Sequence, residues 1–210
     1  MSNHSGSVYG LTIFSPIKPL KDDENVELSH NLAIRKYLRT LPLDDRSLFA
    51  KVSSTHIARL FVLDDVVYFG MPSCEEHLAS RYLVFESNFD GDLDAYLGRL
   101  AREASAEIDT IWQHCEGYPG VQNVDAFIAY MKKCQLTTTF YFADVNNKTV
   151  QQTLRALQAQ SAVAAFIGKN QGQPPEQLQK AFLEFSARLR TAPQPVPGTG
   201  QIKELTDKAL

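Results

Sequence analysis

With three cysteines in 210 residues, an odd number and too few for a disulfide framework, the chain has no need of an oxidising compartment, and a reducing cytoplasm is the expected location. Basic residues stand singly or in pairs, and the formal charge is -3 with a pI near 6.0. That leaves no positive stripe to track phosphates, so no nucleic-acid partner is expected. No stretch approaches the roughly 18 apolar residues that span a bilayer. The opening MSNHSGSVYG lacks a basic region followed by an apolar one, so the expectation is a chain neither secreted by that route nor embedded in a membrane. The signatures G-x-G-x-x-G, G-x-x-x-x-G-K-[ST] and G-x-S-x-G are all missing, which removes support for phosphate-cradling loops and for a hydrolase elbow.

What is present is an average globular mixture, 44% hydrophobic and 21% charged, long enough to bury a sizeable core. Residues 1–192 read as a single domain. APQPVPGTG then reads as a linker, and QIKELTDKAL as a short tail.

β-rich runs occur at 8–15 (VYGLTIFS), 55–63 (THIARLFVL), 81–86 (RYLVFE) and 137–143 (TTTFYFA). Between the first two, Ile34, Tyr37, Leu38 and Leu41 keep helical spacing, and a polar KDDEN loop precedes them. A second helix is expected over 93–111, with Leu93, Leu97, Leu100, Ala104, Ile108 and Ile111 on one stripe and Asp92 as its cap. A short helix follows at 124–131, and two more are expected around 150–167 and 175–189, the last with proline in its first turn. The order is that of an α+β domain with a ferredoxin-like βαββαβ antiparallel sheet and additional C-terminal helices.

Candidate chemistry is sparse. Cys74 and His77 offer two metal ligands where a structural zinc takes four, so no metal site is assigned. On the 55–63 strand, His56 and Arg59 differ by three and point to opposite faces unless a bulge intervenes. Both faces of that strand are mainly apolar, which predicts a central strand covered on both sides. Arg59 then has two assignments, an ion pair with Glu86 on the neighbouring strand or a contact with a ligand carboxylate. Asn88 and Asp90 fall where the strand ending near 86 meets the next helix, a place for turn and cap residues as well as for ligand contacts. Trp112, His114, Cys115 and Tyr118 bring a π-system, an imidazole and a thiol together within seven positions. Even so, His114 at a helix end also suits the dipole, and Cys115 suits a core.

The segments PIKP (16–19), THIAR (55–59), FESNFDGDLDAYL (85–97), HCEGYP (114–119) and FYFADVNNKTV (140–150) resemble those of a little-characterised bacterial family. Its domains are ferredoxin-like, of the dimeric α/β-barrel type, and are associated with catalase- or peroxidase-like proteins. Part of the pattern is similar to the G-x-x-D-G hallmark of dye-decolourising peroxidases, haem enzymes of the same fold class. Here that stretch reads Ser87-Asn88-Phe89-Asp90-Gly91, so the aspartate and final glycine match and the first glycine does not. The resemblance implies Asp90 as a distal acid-base group, Arg59 as its assistant in peroxide cleavage, and His114 as the axial histidine of a haem, in a chain that is short for such an enzyme.

Two functions are therefore expected from the sequence. The first is binding of a small molecule in an apolar pocket, with His56, Arg59, Glu86, Asn88, Trp112, His114 and Tyr118 as candidate ligand contacts. The alternative is a haem-dependent, peroxidase-like oxidoreductase using Asp90 and Arg59. A homodimer is expected in either case, because a single four-stranded sheet leaves one face poorly covered.

Overall fold

Alternating apolar residues at 8–16, 55–63 and 82–90 build the three long strands of one antiparallel sheet, and the helical stripes that follow them cover one of its faces. The computed structural model describes residues 3–19, 29–67, 70 and 77–198. The KDDEN loop, Cys74 and the tail from residue 199 lie outside the described residues. The elements are β1 (His4–Ser5), β2 (Val8–Pro16), α1 (His30–Leu38), α2 (Leu48–Lys51), β3 (Thr55–Leu63), β4 (Tyr82–Asp90), α3 (Leu93–Glu103), α4 (Ser105–Trp112), α5 (Val124–Lys133), α6 (Val150–Asn170) and α7 (Pro175–Thr191). The chain is mixed α+β, with sheet order β1-β2-β4-β3.

Register decides which side chains share a face. Leu11, Ile13 and Ser15 on β2, Ser87, Phe85 and Leu83 on β4, and Ala58, Leu60 and Val62 on β3 stand in matching rows. They form the sheet's contribution to the core, together with Tyr96, Leu97 and Leu100 of α3, Ile108 and Trp112 of α4, and Phe127 of α5. A ring stack runs through it, with Tyr96 on Phe89 at 3.7 Å between centroids and Phe89 on Tyr9 at 5.2 Å. Asp92 caps α3 as its spacing predicts, its side chain accepting from the amides of Asp94 and Ala95. The single helix expected over 93–111 is divided at Ala104, whose φ of -129° ends α3 before α4 begins.

Two expectations about the sheet are corrected. β3 is an edge strand, and its second face is open: Ile57 is 64% exposed and Phe61 39%. The central strand is β4, where Leu83, Val84 and Phe85 are all buried. Apolar residues on both faces therefore marked a strand with one helix-covered face and one bare face, a distinction that alternation alone does not carry. The run at 137–143 forms no regular strand. Residues 134–136 begin a ladder on β2, with a bridge from Ile13 to Gln135 and a bond from the Leu136 amide to the Thr12 carbonyl (2.9 Å). Beyond them the edge is already taken, because β1 pairs with Val8 and Tyr9, and the Thr138 amide donates to the side chain of Asn3 instead (3.1 Å). The chain then crosses onto the open face, where the Tyr141 ring lies over Gly10; a Cβ at residue 10 would sit 2.7 Å from that ring.

Candidate functional site

The bulge that would alter the His56 and Arg59 geometry is present. Thr55 pairs with Phe89 and Ile57 with Asn88, so His56 is the extra residue, without a partner of its own across the ladder. It sits at the edge-strand end nearest Asp90, and its Nε2 lies 2.8 Å from Asp90 Oδ1. The second carboxylate oxygen, Oδ2, accepts from the amide of Val150 at 2.7 Å, at the start of α6. Asp90 therefore holds an imidazole with one oxygen and a helix N-terminus with the other. The other ring nitrogen of His56, Nδ1, has no hydrogen-bond partner among the described residues, although the side chain is only 20% exposed.

His56 borders a cavity of about 420 Å³ between β3 and the α1–α2 side of the molecule. Leu38, Leu41, Leu48 and Phe49 form its apolar wall, Ala58 and Leu60 its floor, and Ser47 with Arg59 its polar rim. Arg59 and Glu86 are register partners and form an ion pair through Arg59 Nε and Glu86 Oε2. The terminal guanidinium nitrogens of Arg59 remain free of partners among the described residues. Arg59 and Glu86 also border a second cavity of about 360 Å³ on the open face, with Asn88, Thr12, Thr138 and Tyr141. There the Tyr141 hydroxyl donates to Asn88 Oδ1 at 3.1 Å. His56 and Arg59 thus line the first cavity and Arg59, Glu86 and Asn88 the second, while Asp90 lines neither and acts through its bond to His56.

Comparison with known protein families, with curated proteins and with solved structures finds no match.

The remaining candidates lie elsewhere. Trp112 is wholly buried, its Nε1 donating to Ser15 at 3.1 Å and its ring packed edge-on against Phe85, so neither face is offered to a ligand. Tyr118 donates to Asp109 at 2.6 Å, and burial followed by that carboxylate pushes its hydroxyl well above the ordinary tyrosine range. Burial likewise lifts the Cys115 thiol to about 12, which suits a core residue and not a nucleophile. His114 meets His30 at the start of α1, Nδ1 to Nδ1, at 2.9 Å. Its basicity is lowered by burial first, then by His30 and by Lys18, whose backbone amide donates to the His114 carbonyl.

These positions bear on haem. Asp90 pairs with Val8 at one end of β2, while His114 is bonded to Lys18, just past the other end. Eight residue steps of strand, at about 3.3 Å each, separate the two ends by roughly 25 Å of backbone. One porphyrin cannot take Asp90 as its distal group and His114 as its axial ligand. The residues present do not fit the haem arrangement that the resemblance implied. Among the described residues, no three histidine, cysteine, aspartate or glutamate side chains converge to hold a metal ion.

Sequence reasoning missed His30, Ser47 and Tyr141, and the apolar wall of the 420 Å³ cavity. Only Tyr141 carried a signal, as the middle residue of the Phe140-Tyr141-Phe142 run, and it was assigned to strand pairing instead.

Proposed function

We propose that this chain binds a small molecule with an apolar body and an anionic head in the cavity beside β3. The observation that carries this is His56: a half-buried imidazole on a bulge, fixed at Nε2 by Asp90, with Nδ1 unpartnered at the wall of an apolar cavity. A ligand oxygen placed there makes a hydrogen bond in a site partly shielded from water, where such a bond is worth more than in open solvent. With Nε2 held by Asp90, the ring meets an anion through Nδ1–H in its two-donor form. The free end of Arg59 adds a second donor at the rim. Leu38, Leu41, Phe49 and Leu60 take the apolar body, and the volume is within the range of small-ligand sites.

A ferredoxin-like plan is part of the same reading. It is supported by the three long strands in the order β2-β4-β3, with α1 and α2 between β2 and β3, and by residues 134–136 running antiparallel to β2 in the place of a fourth strand. A homodimer also belongs to it, supported by exposed apolar side chains on the open sheet face and on the last two helices.

The test is calorimetric titration with octanoate and with 1-octanol. Octanoate is expected to bind more tightly than the alcohol, His56→Ala to abolish that preference, and Leu60→Asp to abolish binding of both. Equal affinity for acid and alcohol in the parent chain, or an acid preference that survives His56→Ala, sinks the proposal.

A further inference from the structure

α6 and α7 form a hairpin whose helices pack on each other and make only slight contact with the sheet and the other helices. Within it, Arg155 near the start of α6 donates to the carbonyls of Leu189 at 2.5 Å and Ala192 at 3.0 Å, and to the side chain of the buried Gln158 at 2.7 Å. These bonds satisfy carbonyls that the last turn of α7 leaves without helical partners, so the end of α7 is held against the start of α6. The start of α6 is bonded in turn to Asp90, the residue that holds His56, through the Val150 amide. The chain therefore leaves α7 on the side of the molecule where the His56 cavity lies.

What leaves α7 is stiff. Ala192 has φ -60° and ψ 140°, close to polyproline backbone. Pro193, Pro195 and Pro197 each fix their own φ and push the residue before them into extended backbone. Residues 192–196 thus make a strut of roughly 15 Å, at about 3.1 Å per residue. At its far end Pro197 and Gly198 turn, with Gly198 at φ 79°, the left-handed value that the third residue of a type II turn takes. Both residues line the cavity of about 420 Å³ beside β3. Gly198 rests on the chain between α1 and α2, where a Cβ at residue 198 would stand 2.8 Å from the Asp44 carbonyl oxygen and 3.2 Å from the Ala50 Cβ. That carbonyl is itself fixed, since it accepts from the Ser47 amide at 3.0 Å. Asp44, Ser47 and Ala50 line the same cavity.

We propose that residues 192–198 are a strap that completes the ligand site, and that the docked strap and the bound ligand stabilise each other. This rests on the reading of the cavity as a site for an apolar body with an anionic head, and it assigns that site's last wall and its regulation. The other walls come from β3, α1 and α2, whose apolar side chains are shared with the core. The strap has no such backing, and its docking draws on the contact of one turn with Asp44 and Ala50. A segment held so lightly opens at low free energy, and an apolar ligand body packed against Pro197 shifts that balance toward the docked form. Proline stiffness keeps the entropy lost on docking small. By linkage, the factor by which ligand favours the docked strap equals the factor by which the docked strap raises affinity.

The experiment is calorimetric titration of the whole chain with octanoate, together with amide exchange of Val196 and Gly198 with and without saturating octanoate. Gly198→Ala forces the strap off Asp44 by backbone strain and close contact, and is expected to bind octanoate roughly five- to tenfold more weakly with unchanged circular dichroism. Pro193→Gly/Pro195→Gly loosens the strut without altering the cavity lining, and is expected to weaken binding likewise. In the parent, octanoate is expected to slow exchange at Val196 and Gly198 by a similar factor. Affinity that is unchanged or tighter in either variant, or strap amides whose exchange octanoate leaves unaltered, overturns the strap and leaves the cavity reading standing. A parent chain that does not bind octanoate overturns both.

Discussion

Tyr96 carries its hydroxyl into the core, 2.8 Å from Ser87 Oγ and 3.2 Å from Thr55 Oγ1. Burial raises its ionisation to about 12, so it is a neutral hydrogen-bonding group across the working pH range. Ser87 is 2% exposed and has no other bonded partner for its hydroxyl, so Tyr96→Phe strands a buried polar atom and is expected to cost about 1–3 kcal/mol. The double variant Tyr96→Phe/Ser87→Ala removes both partners and is expected to recover part of that loss, measured as urea unfolding free energies in a double-mutant cycle. Additive losses would contradict the assignment. None of this is legible in the sequence, where Tyr96 falls between Leu93 and Leu97 of the helical stripe and Ser87 lies just past the expected end of its strand.

Asp90 links three elements, ending β4, holding His56 on the bulge of β3 and accepting from the first amide of α6. The stretch from Ser87 to Asp90 reads locally as capping chemistry, yet it continues β4 to its last residue, because Tyr9, Gly10 and Leu11 supply partners that no local pattern announces. Asp90→Ala is expected to destabilise by about 1–2 kcal/mol and to speed amide exchange through the first turn of α6 while leaving α3 protected. Uniform faster exchange across the sheet and α3 would show that Asp90 supports the whole fold and not the hairpin anchor. Asp92, two residues on, needed no tertiary information: a cap bonds to its own helix, so its role follows from its place before Leu93.

At the scale of the whole molecule, His30 and His114 join the start of α1 to the end of α4 through one shared proton. Both rings protonated would set two N–H groups against each other beside Lys18, which donates from Nζ to the Gln113 carbonyl. Burial first, and then His30 and Lys18, disfavour the His114 cation in the folded chain, so its basicity lies below the usual 6.5. Such a lowered group leaves stability intact above the unfolded value and removes it as pH falls through the folded one. The urea midpoint is expected to drop between about pH 7.5 and about pH 5.5, and the drop is expected to shrink in His114→Gln. An equal drop in the variant would assign the acid sensitivity to other groups.

What the sequence by itself determined is what depends on near neighbours. That includes the mixed α+β class, the β-rich runs at β2, β3 and β4, the caps and stripes of the helices, and the two options for Arg59. These follow from side-chain periodicity, capping and turn chemistry over a few residues. Only the tertiary structure decided that β3 is an edge, that His56 sits on a bulge beside Asp90, that Asp90 and His114 stand at opposite ends of the sheet, and that 137–143 leaves the ladder to place Tyr141 over Gly10. Each is a matter of register and strand order between segments distant in the chain, and periodicity along one segment is the same whichever neighbour that segment meets.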